Sequence, residues 1–245
     1  MDRLQCFYGK DYNITDKLSI KHPKLLEIIE IGQDVYNEYI SALTLSAVNI
    51  ADILYEKFNI WYTDISDWEL FINNFIAESQ NNENIIKSAL LFFTNMVFEP
   101  MKDKDNNIVL YNKENDVVLN EFSFNAMVQF IKEINYITDA DIYIQLKKSG
   151  SKGTAKYIMQ QISKQRKIKN KHNIDLQSIS SSLMWKSGIG EEIFNYPIYR
   201  IYEGYERLNA LDNWDKTITA YYAGNIDTEK TKINFEKINW SKILN

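Results

Sequence analysis

Eight glycines and three prolines in 245 residues leave this chain almost without helix breakers. Those two residue types stop or kink helices, so a sequence poor in both permits long ones, and the few that occur mark boundaries. The stretch WKSGIGEEIFNYPIYRIYEGYERLN, residues 185–209, gathers several of them among a cluster of aromatics. Gly188 reads there as the stop of one helix. Pro197 reads as the N1 residue of the next, which runs to about residue 223 and closes at Gly224.

The other boundaries follow from apolar spacing. Short apolar runs at residues 4–8 and 18–20, separated by GKDYNITD, predict a hairpin. Pro23 predicts the first residue of a helix over PKLLEIIEIG, with Gly32 as its stop. Val35, Tyr39, Leu43, Ala47, Ile50 and Leu54 keep a three-to-four residue step, which predicts one helix over residues 33–58. Ser66 and Asp67 offer a cap for WELFINNFIAES, and residues 82–93 supply a short helix or strand. Apolar runs at residues 96–99, 108–111 and 117–122, bounded by KDKDNN and NKEND, predict a small antiparallel meander. Ser123 is placed to cap a helix through Asn135, and Asp175 one over LQSISSSLMWKSG.

The expected fold is α+β and predominantly helical, a small N-terminal antiparallel sheet with helices followed by a helical C-terminal module. The expected domains are an N-terminal α+β unit at 1–138, a basic helical or partly mobile connector at 139–174, and a C-terminal helical module at 175–245. Hydrophobic residues are 45% and charged residues 25% of the chain, which suits a folded protein rather than a disordered one. The longest apolar runs, such as residues 89–93, fall far short of the ~20 residues a bilayer crossing needs, so no membrane partner is expected. The lone Cys6 excludes an internal disulfide and suits a reducing compartment.

The net charge of −5 conceals a segregation. Between residues 142 and 174 stand Lys147, Lys148, Lys152, Lys156, Lys164, Arg166, Lys167, Lys169 and Lys171, and no acidic residue. Such a block reads as a surface for an anionic polymer or for an acidic protein face. Lys147, Lys148, Lys152, Lys164, Arg166, Lys167, Lys169 and Lys171 are its candidate anion- or nucleic-acid-binding residues. Within it KKSGSKGTAKYI carries a G-x-x-G with basic flanks, the pattern that clamps a nucleic-acid backbone in KH modules, although a hinge between helices explains it more simply. Only Tyr143 and Tyr157 interleave the basic residues, so base-stacking platforms are few.

Catalytic chemistry is poorly supplied. One cysteine and two distant histidines, His22 and His172, do not make the clustered soft ligands a metal centre wants. Cys6 is a nucleophile only if the fold joins it to a histidine. Asp64 with Asp67 and Glu69, Asp139 with Asp141, and Glu191 with Glu192 are paired carboxylates, but they sit where helix caps and first turns are expected. Neither catalytic nor metal residues are assigned, and no cofactor is expected. The C-terminal aromatics are a different matter. At helical spacing such a stripe is more often core than a sugar or base platform, and its sharper alternative is a protein contact, where Tyr and Trp are enriched. Trp185, Tyr199, Tyr202, Tyr205 and Trp214 are the candidate protein-binding residues.

The C-terminal half also resembles a family. Trp185-Lys186-Ser187-Gly188, then Pro197-Ile198-Tyr199-Arg200-Ile201-Tyr202, then Tyr222-Ala223-Gly224-Asn225-Ile226-Asp227 are similar to the W-x-S-G, T/P-[IL]-Y-x-[IL]-Y and Y-x-G-x-[IL]-D pattern of tail-region proteins from phages of low-GC Gram-positive bacteria, akin to tail assembly chaperones. ITDKLSIKHPKLLEIIEIG and IADILYEKFNIWYTDISDWELF resemble the same group. The resemblance implies a non-enzymatic protein that binds other phage tail proteins, the elongated helical tape-measure protein among them, and that allows a homo-oligomer. It places the chain in the host cytoplasm, associated transiently or permanently with the virion tail. A nucleic-acid-binding module working through residues 147–171 is the alternative from a different class.

Overall fold

The computed structural model describes residues 2–78, 84–167, 175–226 and 233–242. It is α+β and predominantly helical, with two small antiparallel sheets, one of them N-terminal. The first element departs from expectation. Residues 4–8 belong to α1 (Arg3–Tyr8) and not to a strand. The Asp2 carboxylate accepts from the Leu4 N–H at 3.3 Å, and Gly9, at φ +84°, turns the chain out of the helix. The hairpin lies just beyond, in β1 (Tyr12–Asn13) and β2 (Ser19–Ile20), with Tyr12 opposite Ile20.

α2 (Leu25–Ile31) begins two residues after Pro23, which does not open it. Pro23 instead pairs with a distant stretch, as described below. The single helix expected over residues 33–58 is two, α3 (Gln33–Thr44) and α4 (Ala51–Phe58). The break is held by Asp67, whose Oδ1 accepts from the Ala47 N–H at 2.7 Å. α5 (Asp67–Glu78) starts from a reciprocal cap in which Ser66 Oγ accepts from the Glu69 N–H and the Glu69 carboxylate accepts from the Ser66 N–H. α6 (Ile85–Thr94) is capped by Asn84. The expected meander follows as β3 (Glu99–Lys102), β4 (Ile108–Asn112) and β5 (Val117–Leu119), its first strand three residues later than the apolar run suggested. α7 (Glu121–Ile134) is capped by Asn120, with Ser123 inside the helix closing the capping box.

α8 (Asp141–Lys147) and α9 (Lys152–Lys167) form the basic segment. α10 (Leu176–Ser187) runs between the two expected signals, Asp175 as N-cap and Gly188 as left-handed stop at φ +68°. A 3-10 turn over Glu191–Asn195 leads to Pro197 and then α11 (Ile198–Tyr222), and a short α12 (Phe235–Ile238) lies against its far end.

The main core is contiguous from the first helix to the eleventh. Tyr36, Phe75, Phe93, Phe98 and Phe124 are its largest fully buried side chains, and the Tyr36 hydroxyl donates to Asn135 Oδ1 at 2.9 Å. Ile179, Leu183, Ile198, Tyr199 and Ile201 belong to the same cluster as Leu25, Ile28 and Phe130. A second cluster joins Ala47, Ala51, Leu54 and Leu70 to Leu146, Ala155, Met159 and Ile162. The apolar anchors of α9 are therefore few but periodic, at i, i+4 and i+7.

Candidate functional site

α2 and α10 come together because the residues before α2 and α11 are zipped as a two-residue antiparallel bridge. The Ile198 N–H donates to the Pro23 carbonyl at 2.9 Å and the Leu25 N–H to the Tyr196 carbonyl at 3.0 Å. His22, beside this bridge, accepts the Tyr199 N–H on Nε2 at 3.4 Å. Gly9 lies so near that a Cβ there would stand 2.9 Å from the Pro197 ring. α10 is then fixed by its own cap, Asp175 Oδ1 accepting from the Ser178 N–H at 2.7 Å, and by Gln33 Oε1 accepting from the Leu176 N–H at 3.1 Å. Its other face lies on α11, where Gly204 admits Leu183 and Lys186 pairs with Asp212.

Between α2 and α10 runs an apolar groove of about 740 Å³. One wall is Leu25, Ile28 and Ile29 of α2; the other is Leu176, Met184 and Trp185 of α10, and Ile189 and Phe194 close one end. The polar groups along it are Gln33, Gln177, Ser180 and Ser181, and no charged residue lines it among the described residues. Trp185 stands 87% exposed at its lip, and Ile29 is 53% exposed opposite. Large aromatic surface left in water beside an apolar trough costs free energy that packing against apolar surface recovers. Ser180 adds a second oddity: its Oγ is buried without a hydrogen-bond partner among the described residues. Ser182, on the same helix, donates back to the Ser178 carbonyl at 2.8 Å.

A larger cleft of about 920 Å³ lies between α5, the start of α7 and the turn before β4, and it carries Asp64, Glu69, Asp103 and Glu121. Two of these carboxylates already have structural work. Glu69 closes the α5 cap, and Asp103 Oδ1 accepts from the Asp105 and Asn107 N–H groups at 2.9 and 2.8 Å. Among the described residues, no group of three or more His, Cys, Asp and Glu is disposed to hold a metal ion. Burial and the nearby Glu133 charge push the Cys6 thiol up to about 11, so at neutral pH it is protonated and a poor nucleophile.

The aromatic candidates divide. Trp185 faces water, whereas Tyr199 is 6% exposed and its ring lies 5.2 Å from that of Tyr136. Tyr202 and Tyr205 are half-buried against the main core. Trp214 is half-buried, 6.4 Å from the Phe235 ring of α12. In the basic segment, Lys147 forms an ion pair with Asp139 at 2.6 Å, and Lys152 and Lys156 hold their ammonium groups 5.8 and 4.8 Å from the rings of Trp61 and Tyr55. Lys148 and Lys164 are exposed. Lys169 and Lys171, and the side chains of Arg166 and Lys167, lie outside the described residues.

The α2 wall was not singled out as a site by sequence, although LLEIIEI carries a signal. Its apolar residues span more of the helix circumference than one buried stripe needs, so part of them must face outward. Comparison with known proteins bears on the other wall. Residues 167–245 match the family model of the YomV second domain. The family is phage-associated. The match covers about a third of the chain and takes in α10, the 3-10 turn, α11 and α12, while α2 lies outside it. No curated protein and no solved structure matches the chain. No helix among the described residues is long and apolar enough to cross a membrane.

Proposed function

We propose that this is a non-enzymatic phage tail assembly chaperone or related tail protein, which shields an apolar helix of an elongated tail protein in the groove between α2 and α10. The observation that carries the reading is Trp185, almost fully exposed at the lip of an uncharged apolar trough. A trough walled by two helices accepts the apolar stripe of a third, with anchors at i, i+3, i+4 and i+7. The phage association of the matched family and the resemblance to tail-region proteins supply the biological setting. The partner fitting that setting is the long helical tape-measure protein, met in the host cytoplasm before the tail closes around it.

Nucleic-acid binding finds less support. Of the candidate lysines whose side chains are described, Lys147 is paired with Asp139 and Lys152 sits over Trp61. Co-expression of the chain with a phage tape-measure protein tests the proposal. The wild-type chain keeps that protein soluble and stays bound at high salt, because apolar contact is not screened. Trp185→Ala weakens the complex by about 2 kcal/mol or more, the scale of an interface hot spot. Loss of the complex at moderate salt, or an undiminished complex with Trp185→Ala, contradicts it.

A further inference from the structure

We propose that Arg200 is the anion-binding residue of a second, smaller site, which takes a carboxylate carried on an apolar body. This site shares only Ile189 with the α2–α10 groove and does not rest on the chaperone reading. Its pocket, about 280 Å³, is walled by Phe7 of α1, Leu183 of α10, Ile189, Leu208 and Leu211 of α11, and Trp240. The charged groups that line it, among the described residues, are Arg200, Glu203 and Arg207. Glu203 and Arg207 satisfy one another. Arg207 Nε donates to Glu203 Oε1 at 2.8 Å, and its Nη1 donates to the Trp240 and Lys242 carbonyls. Arg200 differs. Its guanidinium carbon stands 3.8 Å from the centre of the Tyr196 ring and 5.0 Å from that of Phe7, and among the described residues the guanidinium neither donates a hydrogen bond nor pairs with a carboxylate.

Stacking covers the faces of a guanidinium and leaves its N–H groups at the edge, where their fork matches the two oxygens of a carboxylate. Arg200 is half-buried, and a partly desolvated charge with unmet donors is unfavourable until an anion meets it. The charge balance selects the anion. With Glu203 and Arg207 cancelling, the lining carries one net positive charge, which a monocarboxylate neutralises. A phosphate monoester, at about −1.5 to −2, overshoots it. Phosphate also favours free backbone N–H groups at a helix start, and those of α11 are engaged: Ile198 with Pro23, Tyr199 with His22, and Arg200 with Pro197. The walls specify the rest of the ligand. They are apolar and aromatic, and the volume falls just below the ~300–1,000 Å³ of pockets for drug-sized ligands, so the body is one ring or a short branched chain. A small free acid carries this chemistry, and so does a glutamate beside an apolar residue in a protein segment.

Titration of the full isotope-labelled chain with phenylpropionate, followed by NMR at the backbone amides and arginine Nε–H groups, tests the assignment. Shifts are expected to gather on Phe7, Tyr196, Arg200 and the Trp240 indole, with a Kd on the order of 1 mM for so few ligand atoms. Phenylpropanamide, neutral and of the same shape, binds at least about tenfold more weakly. Arg200→Lys keeps the charge but loses the fork and the stacking, and it weakens binding of the acid by about tenfold, with circular dichroism verifying its fold. A capped Leu-Glu-Phe peptide separates the sources: binding tighter than that of phenylpropionate assigns the site to a protein segment, and weaker binding assigns it to a free acid. The proposal is overturned by absent shifts at ~20 mM phenylpropionate, well above that Kd. Equal binding of the amide, an undiminished response in Arg200→Lys, or tighter binding of phenyl phosphate than of phenylpropionate overturns it too.

Discussion

His22 shows how one residue ties the two ends of the chain together. Its ring is 4% exposed, stands edge-on to Phe130 at 5.7 Å, and accepts the Tyr199 N–H. Only a neutral ring offers that lone pair. Burial lowers its pKa to about 4 from 6.5; the Lys10 carbonyl opposes the shift without making a well-formed hydrogen bond to Nδ1. Because the folded pKa is the lower one, the unfolded chain binds more protons between the two values, and stability falls as pH drops. The contribution is complete above pH 6.5 and is lost on descending to about 4, amounting to about 3 kcal/mol at most. Urea titrations at pH 7 and pH 4.5 are expected to differ by more in the wild type than in His22→Gln; equal differences contradict the assignment. Gly9 is the second such residue. Its φ of +84° and the Pro197 ring 2.9 Å from where a Cβ would stand predict a loss of about 2–3 kcal/mol in Gly9→Ala. Gly188→Ala, with the same backbone sign and open space around it, is expected to lose about 1 kcal/mol, and the contrast is read by thermal denaturation.

At the scale of elements, local signals that act on adjacent residues were legible and signals from distant residues were not. α10 ran between Asp175 and Gly188 as the cap and stop rules require. The hydrophobic step over residues 33–58 held at Leu43, Ala47 and Leu54 but not at Val35, which is exposed, and it did not imply one helix. Tyr36, Ile40 and Leu43 enter the main core, while Ala47, Ala51 and Leu54 enter the second cluster. The tie that breaks the helix comes from Asp67, twenty residues on. α1 was misread as a strand because five apolar and polar residues alternate loosely; the Asp2 cap and Gly9 decide it. In α9 the net basic character hid a periodic core face at Ala155, Met159 and Ile162. Met159→Ala is therefore expected to cost about 2–5 kcal/mol of stability, measured by chemical denaturation, whereas a free, unpacked helix would lose almost nothing. Asp175→Ala removes one cap bond and should cost about 1 kcal/mol, with faster amide exchange confined to the first turn of α10.

At the scale of the whole molecule, the groove exists only because residues 22–25 and 196–199 are bonded to one another. Sequence reasoning found Trp185 but not Ile29, since nothing local says that two helices about 150 residues apart become opposite walls. It also gathered Tyr199 with Trp185, although the first, at the start of α11, is in the core and the second, near the end of α10, is in water. Within α11, Tyr199, Tyr202 and Tyr205 pack with the main core while Tyr222 is exposed, and their shared residue type and helical spacing do not separate the two groups. The amide exchange of the chain, measured with and without the long helical tail protein, tests the functional reading most directly. Slower exchange in α2 and α10 with α9 unchanged is the predicted result; protection confined to the basic residues of α8 and α9, with α2 and α10 unaffected, would contradict it.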